Sequence, residues 1–389
     1  MAKSTCLSLC DVLMPCVYIR SLLIFDYEIN SLEKEFLEFL HIYCPQAFQC
    51  IKNEQIVDCG EDRQVFSYES RSNESLSKYF HNDSSIDDLF PYDFIPNDVS
   101  PLIFLHQIRF DDGTILVFGC HHYFSDGHGF SLLGQRFSLW LKGKRPTVLD
   151  HDRSKLNHLA NSSTIQFEHK EMSVIESIHS FDFLSSTQTV IKHFTKENLF
   201  TKLGITNKKL STNDVLVGWL TQTISRIRQL PSETTVKVGM ALNTRMFLPD
   251  IDENYFGNAS FYICFSFSMT DLLHRTVTQL AEQINLDKRK FMNREYLQSA
   301  LAYMAKYHHQ STIYLGWEAH GGVDLSISNW SKFPLYQCDF GKGIPRAFRI
   351  PSILFDGLIF ILPTSNPNEI ELHITLKHQD TKELLIELN

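Results

Sequence analysis

The chain has 389 residues, with 36 Lys and Arg against 45 Asp and Glu, a net charge of −9 at pH 7 with His neutral. Apolar residues make up 43% and charged residues 21%, the balance of a folded soluble protein with about two domains. The negative balance argues against nucleic acid and anionic membranes as partners, and the apolar content makes a disulfide framework unnecessary.

In chain order, residues 5–19 are apolar, but Asp11 and Pro15 interrupt them. A secretory signal needs an unbroken apolar stretch, so none is expected. No run reaches the ~20 apolar residues of a membrane-spanning helix. Val17–Phe25 reads as the first strand. Ser31–Leu40 reads as a helix capped by Ser31, with Leu32, Phe36, Leu37 and Leu40 at helical spacing. Leu102–Phe110 reads as a strand, Asp111–Gly113 as a hairpin turn, and Thr114–Cys120 as the returning strand. The polar loop His121–Gly129 (HHYFSDGHG) follows, then an apolar-periodic helix over Phe130–Lys142.

Residues 143–190 are rich in Ser, Asn, Asp, His and Lys and read as a long crossover between 1–142 and 191–389. Helices are expected over Lys192–Leu210, Thr212–Arg228 (capped by Ser211 or Thr212) and Leu273–Phe291. Strands are expected over Val236–Leu242, Ala259–Phe267, Leu325–Ser328, Ile353–Leu362 and Glu369–Leu376. The fold class is therefore α/β, with mixed sheets and helices.

Nine Cys are present, with no CxxC pair. An odd count without metal spacing points to mostly buried free thiols in a reducing, cytoplasmic setting.

The chemistry is concentrated in the His121–Gly129 loop, where His121, His122, Asp126 and His128 lie within eight residues beside Gly127. Three readings compete. Metal binding is disfavoured, because adjacent strand residues point to opposite faces and His121 and His122 cannot easily share an ion. No metal is expected. A second reading is a structural His cluster at a strand end. The third is general-base catalysis by one His, whose proton affinity lies near working pH. A second H-x-x-x-D, His320–Asp324, has no supporting context and is taken as chance.

The run His122–Gly127 (HYFSDG) resembles the HxxxDG motif of the BAHD acyltransferases. With His121 in front, it also resembles the HHxxxDG motif of condensation domains and chloramphenicol acetyltransferase. Further segments match the BAHD pattern in order: Ser8–Asp11 with Met14 and Pro15, Ser211–Asp214 (STND), Asn243–Arg245 (NTR), Tyr255–Asn258 (YFGN), and Ser328–Pro345. The last retains Trp330, Phe333, Pro334, Tyr336, Asp339, Phe340, Gly341 and Gly343. Asp356, Gly357, Leu362 and Pro363 fit the final strand pair. The N-terminal segment gives the chain a fungal-type flavour.

The resemblance implies two chloramphenicol-acetyltransferase-like domains, each a mixed sheet with helices, and a channel at their interface. It implies transfer of an acyl group from acyl-CoA to a small-molecule alcohol or amine, in secondary metabolism, by a monomer with no permanently bound cofactor. His122 would be the general base. Asp126 and Gly127 would shape the loop, Asp126 by pairing with an Arg. Ser328 and Trp330 are the candidate oxyanion or acceptor contacts. Asp339, Gly341, Gly343 and Arg245 would be structural, with Asp339 and Arg245 forming an ion pair. No acyl-enzyme is required, so no Cys need be a nucleophile.

Coenzyme A carries phosphates, for which Lys142, Lys144 and Arg145, Lys202, Lys208 and Lys209, and Lys288, Arg289 and Lys290 are candidates. The chain departs from the DFGWG pattern at Lys342. Two alternatives stay open. One is a condensation-type enzyme using a carrier-protein thioester. The other is a catalytically silent binding protein of the same fold.

Overall fold

The computed structural model describes residues 4–60, 63–80, 86–175, 187–248, 250–308, 312–318, 322–352 and 355–388. They form two compact units whose segments interleave. The first comprises Met1–His158, Pro249–Ala259 and Phe333–Ser352; the second comprises Leu159–Leu248, Ser260–Lys332 and Ile353–Asn389. The expected linear cut around 143–190 therefore needs correction. The DFGKG segment sits in the first unit, because Ala347–Arg349 adds an edge strand beside Tyr18–Phe25.

The first unit is built on a five-stranded sheet in the order Ala347–Arg349, Tyr18–Phe25, Gly113–His121, Ile103–Phe110, Phe66–Arg71. Neighbours are antiparallel except the last pair, which is parallel. The expected strands are present, and the 111–112 hairpin joins Ile103–Phe110 to Gly113–His121. One apolar set on this sheet, with Leu22, Ile24, Ile108, Phe110, Ile115 and Val117, packs with Leu76, Tyr79, Ile86 and Leu89. A second set is aromatic: Phe36 and Phe39 lie 5.1 Å and 5.3 Å from Phe137, and Phe340 lies 5.7 Å from Phe137 and 5.8 Å from Phe25. Each such buried side chain contributes about 1.5–3 kcal/mol. Phe137 thereby docks the helix Gly127–Leu141 against its neighbours.

The second unit has a six-stranded mixed sheet: Ser260–Ser268, Thr235–Asn243, Leu325–Asn329, Leu358–Pro363, Glu369–Lys377, Thr187–Thr195. The helix Thr212–Ile227 begins at a capping box, in which Ser211 and Asp214 each accept the other's backbone N–H. Its Val215, Leu216, Leu220 and Ile224 join Val238, Ile327, Ile361 and Leu372 in one core.

Several sequence expectations are corrected. The helix expected over Ser31–Leu40 is Glu33–Tyr43, with Leu32 at its cap position and no side-chain cap, and a short helix Leu9–Val12 precedes it. The helix after the His loop starts at Gly127, three residues early, because Asp126 caps it. The crossover holds the helix Ser154–Ser162 and the strand Met172–Ile175, and residues 176–186 lie outside the described set. Lys192–Leu210 is not one helix: Thr187–Thr195 is a strand, paired along its length with Glu369–Lys377, and only Lys196–Lys202 is helical. Leu273–Phe291 is split into Met269–His274 and Val277–Phe291 by a second capping box, Thr276 with Gln279. The helices Arg294–Tyr307 and His378–Leu388 were not anticipated. The strand expected over Ile353–Leu362 is Leu358–Pro363, and residues 353–354 lie outside the described set. Among the described residues no helix is long and apolar enough to cross a membrane.

Candidate active site

His121 is the last residue of its strand and the register partner of Tyr18. His122 continues the ladder by one bond, donating its backbone N–H to the Val17 carbonyl at 2.8 Å. Strand alternation then sends the two imidazoles to opposite sides. His121 lies on the Tyr18 side, ring centroids 6.0 Å apart, and its Nδ1 accepts the Tyr123 N–H at 3.1 Å. Burial pushes its pKa down to about 4. Because Nδ1 accepts, neutral His121 carries its proton on Nε2, which lies 3.9 Å from Cys16 Sγ. His121 is thus a packed, neutral strand residue.

His122 is half-buried, and its Nδ1 is enclosed with no hydrogen-bond partner. Burial lowers its proton affinity. Its own backbone carbonyl dipole, the Asp126 charge, Asn258 and the Asp11 charge pull it back up. With Nδ1 enclosed, Nε2 is the ring nitrogen left for a substrate to reach. The net downward direction keeps the ring neutral at neutral pH, the form a general base needs.

Asp126 caps the helix: one carboxylate oxygen accepts the Gly129 N–H at 2.9 Å and the other accepts the Ala259 N–H at 3.0 Å. It is 1% exposed. Each oxygen is aimed at backbone, which fixes the loop rather than orienting an imidazole. Gly127 and His128 fall in the first turn, and His128 Nε2 lies 3.1 Å from the Glu253 carbonyl. At Gly129 any Cβ would sit 2.0 Å from Ser125 Oγ, so the turn is closed to larger residues.

Two segments hold this loop from behind. Asp11, fully buried in the Ser8 capping box, accepts Asn258 N and Nδ2 at 2.9 and 2.8 Å, and its other oxygen lies 3.2 Å from Arg153 Nε. Arg153, also fully buried, donates to the Phe124 carbonyl at 2.6 Å and the His151 carbonyl at 3.2 Å. Asn258 Nδ2 also donates to the His122 carbonyl at 2.7 Å. Asn258 belongs to a motif seen in the sequence, but its bond to His122 was not foreseen. Arg153 was missed: a lone Arg in a polar stretch carries no periodic or motif signal.

The remaining candidates divide between the units. Ser328 and Trp330 lie in the second unit, at the end of Leu325–Asn329. The Trp330 indole N–H donates to Ser328 Oγ at 3.0 Å, and its ring stands edge-on to Phe360. Asp339 is in the first unit. One of its oxygens accepts Gly341 and Gly343 N–H, each at 2.9 Å, and the other lies 3.1 Å from Lys142 Nζ. The cation on Asp339 is therefore Lys142; Arg245, expected there, belongs to the second unit, where its N and Nη1 bond Asn243 Oδ1. Gly341 and Gly343 have φ of +139° and +146°, which favour glycine. Lys342 is exposed, so the missing Trp leaves no buried gap at that residue.

Among the phosphate candidates, Lys288 is bound to buried Asp214, Lys290 to Asp287, and Lys202 to the Leu388 carbonyl. Lys144, Arg145, Lys208 and Lys209 are exposed. His320 lies outside the described residues. Asp324 of that run accepts the backbone N–H groups of Lys237 and Glu318 at 2.7 and 2.9 Å.

The second unit also holds a buried Ser299–His169–Glu171 chain, with both links at 2.8 Å. It has the outline of a nucleophilic triad. Ser299 Oγ, however, already accepts the N–H groups of Gln166 and Phe167, which occupy the lone pairs a nucleophile would use. It reads as a strut. Among the described residues no His, Cys, Asp and Glu group could hold a metal ion.

A family model described as the Transferase family matches residues 3–385. An anthranilate N-benzoyltransferase (protein 2) of Dianthus caryophyllus is 26% identical over 281 residues, covering 68% of this chain and 63% of that protein. The chain thus spans less than two thirds of the length of the Dianthus proteins it matches. The O-acetyltransferase ptmV of Penicillium ochrochloron is 26% identical over 365 residues, covering 76% and 73%. Among solved structures, TRI101 of F. graminearum, crystallised with coenzyme A and deoxynivalenol, superposes with a TM-score of 0.83 at 17% identity. That match covers 99% of this chain and 97% of that one, and it speaks to fold.

Proposed function

The chain belongs to the Transferase family, and from that premise we propose that it moves an acyl group from acyl-CoA to the hydroxyl or amine of a small molecule. The observation that carries this reading is His122: a neutral ring at the end of its strand, backbone pinned on both sides, with Nδ1 enclosed, so that we assign Nε2 as the base. Nε2 takes the proton from the acceptor O–H or N–H as that atom bonds to the thioester carbonyl carbon. The carbonyl electron pair moves onto oxygen. When the tetrahedral species collapses, the C–S bond breaks and the thiolate leaves with the proton returned by His122. The sum is ester or amide plus free CoA, with no acyl-enzyme. Burial holds the thiols of Cys44, Cys120, Cys264 and Cys338 protonated, in keeping with a reaction that uses none of them.

Ser328 is our candidate oxyanion donor. Its oxygen already accepts the Trp330 N–H, which leaves its hydroxyl hydrogen to give and makes Trp330 its support. The exposed Lys144, Arg145, Lys208 and Lys209 are the better candidates for CoA phosphates, since Lys142, Lys288 and Lys290 already face carboxylates. We take the chain to act as a cytoplasmic monomer in secondary metabolism, without a resident cofactor. The doubled His gives the carrier-protein alternative no support, because His121 faces away and accepts a backbone N–H.

The test supplies acetyl-CoA and benzoyl-CoA with hydroxyl and amine acceptors and follows free thiol. Acceptor-dependent release supports the reading. Turnover only with a carrier-bound thioester supports the alternative, and binding without turnover supports a silent protein.

A further inference from the structure

We propose that Asn213 is a positioning residue for the acyl transfer: through Asn329 it fixes the strand end that presents the Ser328 hydroxyl. The inference rests on Ser328 being the oxyanion donor. Every group it invokes lies in the second unit.

The strand Leu325–Asn329 pairs with Leu358–Pro363 as far as Asn329 opposite Ile361, and the Trp330 N–H adds one more bond, to the Ile361 carbonyl at 2.8 Å. On its other edge, the pairing with Thr235–Asn243 runs from Leu325 to Ile327, which lies opposite Met240. Ser328 and Asn329 lie beyond that ladder, and Asn213 meets the strand at this point. Asn329 Nδ2 donates to Asn213 Oδ1 at 2.7 Å, and Asn213 Nδ2 lies 3.2 Å from Met240 Sδ. Asn329 Oδ1 accepts the Ser331 N–H at 2.9 Å. A backbone N–H can only donate, so it fixes which end of the Asn329 amide is oxygen and leaves Nδ2 to donate to Asn213.

Strand alternation carries this grip across the sheet. Ile327 and Ile361 face the core that they share with Val215 and Leu216. Asn329 is on the same face as Ile327, two residues on, and Ser328 is on the other. There Ser328 is the register partner of Phe360, against which the Trp330 ring stands edge-on while its indole N–H bonds Ser328 Oγ at 3.0 Å. The Asn329 side chain is thus held by the helix at one end and closes over Trp330 to the Ser331 N–H at the other. The hydroxyl and indole on the far face can shift only if this turn shifts. Asn213 is itself anchored. The helix Thr212–Ile227 begins at the capping box of Ser211 and Asp214, and Asp214 also binds Lys288 and accepts from Asn285 at 2.7 Å. Ser211 and Asp214 already supply the cap, so the Asn213 amide is not needed for it and is committed to the strand end.

The test follows acceptor-dependent thiol release by the full chain and compares wild type, Asn213→Leu, Asn213→Asp, Ser328→Ala and Asn213→Leu with Ser328→Ala. Leu removes the acceptor, whereas Asp keeps an oxygen for Asn329 Nδ2. Where Asn213→Leu does not fold, Asn213→Ala takes its place. The positioning role predicts that folded Asn213→Leu loses about tenfold or more in kcat. Its KM for acyl-CoA should change less than about twofold, and Asn213→Asp should stay close to wild type in both. In the Ser328→Ala background the Leu substitution should change kcat by less than about twofold, because the hydroxyl it positions is gone. Equal losses in the two backgrounds would overturn the positioning role and leave Asn213 a general support. Asn213→Asp as slow as Asn213→Leu would overturn the hydrogen bond as the cause. Wild-type kcat in Asn213→Leu beside a slow Ser328→Ala would sink the proposal and leave the oxyanion reading standing. Wild-type kcat in Ser328→Ala would overturn the oxyanion reading itself.

Discussion

His121 offers a quantitative test of how the loop is built, because it is only 7% exposed and its pKa falls to about 4. In the unfolded chain it would titrate near 6.5. A group whose folded pKa is depressed contributes stability above its unfolded value and loses it as pH falls through the folded one. Comparing proton binding in the two states gives a loss of about 2 kcal/mol on going from pH 7.5 to pH 5. His121→Asn keeps an acceptor for the Tyr123 N–H but cannot titrate. At about 2.1 cal/mol/K per residue over 389 residues, that energy corresponds to about 2–3 °C. Melting curves at pH 7.5 and pH 5 should therefore show the variant losing about 2–3 °C less than wild type. Burial also lowers the pKa values of His106, His122 and His151, so both proteins should still weaken in acid. An identical acid loss in the two would show that His121 is not the buried neutral strand residue described above.

Other expectations follow from the same packing. Gly129→Ala should cost about 1–3 kcal/mol from overpacking, since its Cβ meets Ser125 Oγ at 2.0 Å. Adding Ser125→Ala should recover most of that, because this hydroxyl has no partner to lose, and a double variant as unstable as the single would refute the cause. Asp126→Ala strands the Gly129 and Ala259 N–H groups and should cost about 2–4 kcal/mol; an unchanged melting temperature with turnover down about 10⁴-fold would instead mark Asp126 as a triad acid. Ser328→Ala should lower kcat about 10²–10³-fold at nearly constant KM if the hydroxyl serves an oxyanion, and unchanged kcat would reduce Ser328 to a support for Trp330.

Much of this site was legible because its signals are local. The strand ending at His121 follows from an apolar run after a hairpin turn, whereas the Asp126 cap, which starts the helix at Gly127 instead of the expected Phe130, is not part of that reading. Ser211–Asp214 marks a helix start, and Thr276–Gln279 is a capping box of the same type that divides the single helix expected over Leu273–Phe291 into two. Thr187–Thr195 was misread because its residues from Lys192 onward fit a helical period as well as a strand. Its pairing partner, Glu369–Lys377, lies far along the chain. Arg153 was invisible for a related reason: its meaning lies in Asp11 and the Phe124 carbonyl, which only the folded chain brings to it. The placement of 333–352 in the first unit likewise depends on a strand pairing made across more than 300 residues.

The central claim is that His122 is the base of an acyl transfer from acyl-CoA. Its most direct test is free-thiol release by wild type and His122→Ala, with an acyl-CoA and an acceptor present, and with CoA binding measured on both. The account predicts acceptor-dependent release by wild type and loss of it in a folded variant that still binds CoA. Equal release by the two proteins would contradict it.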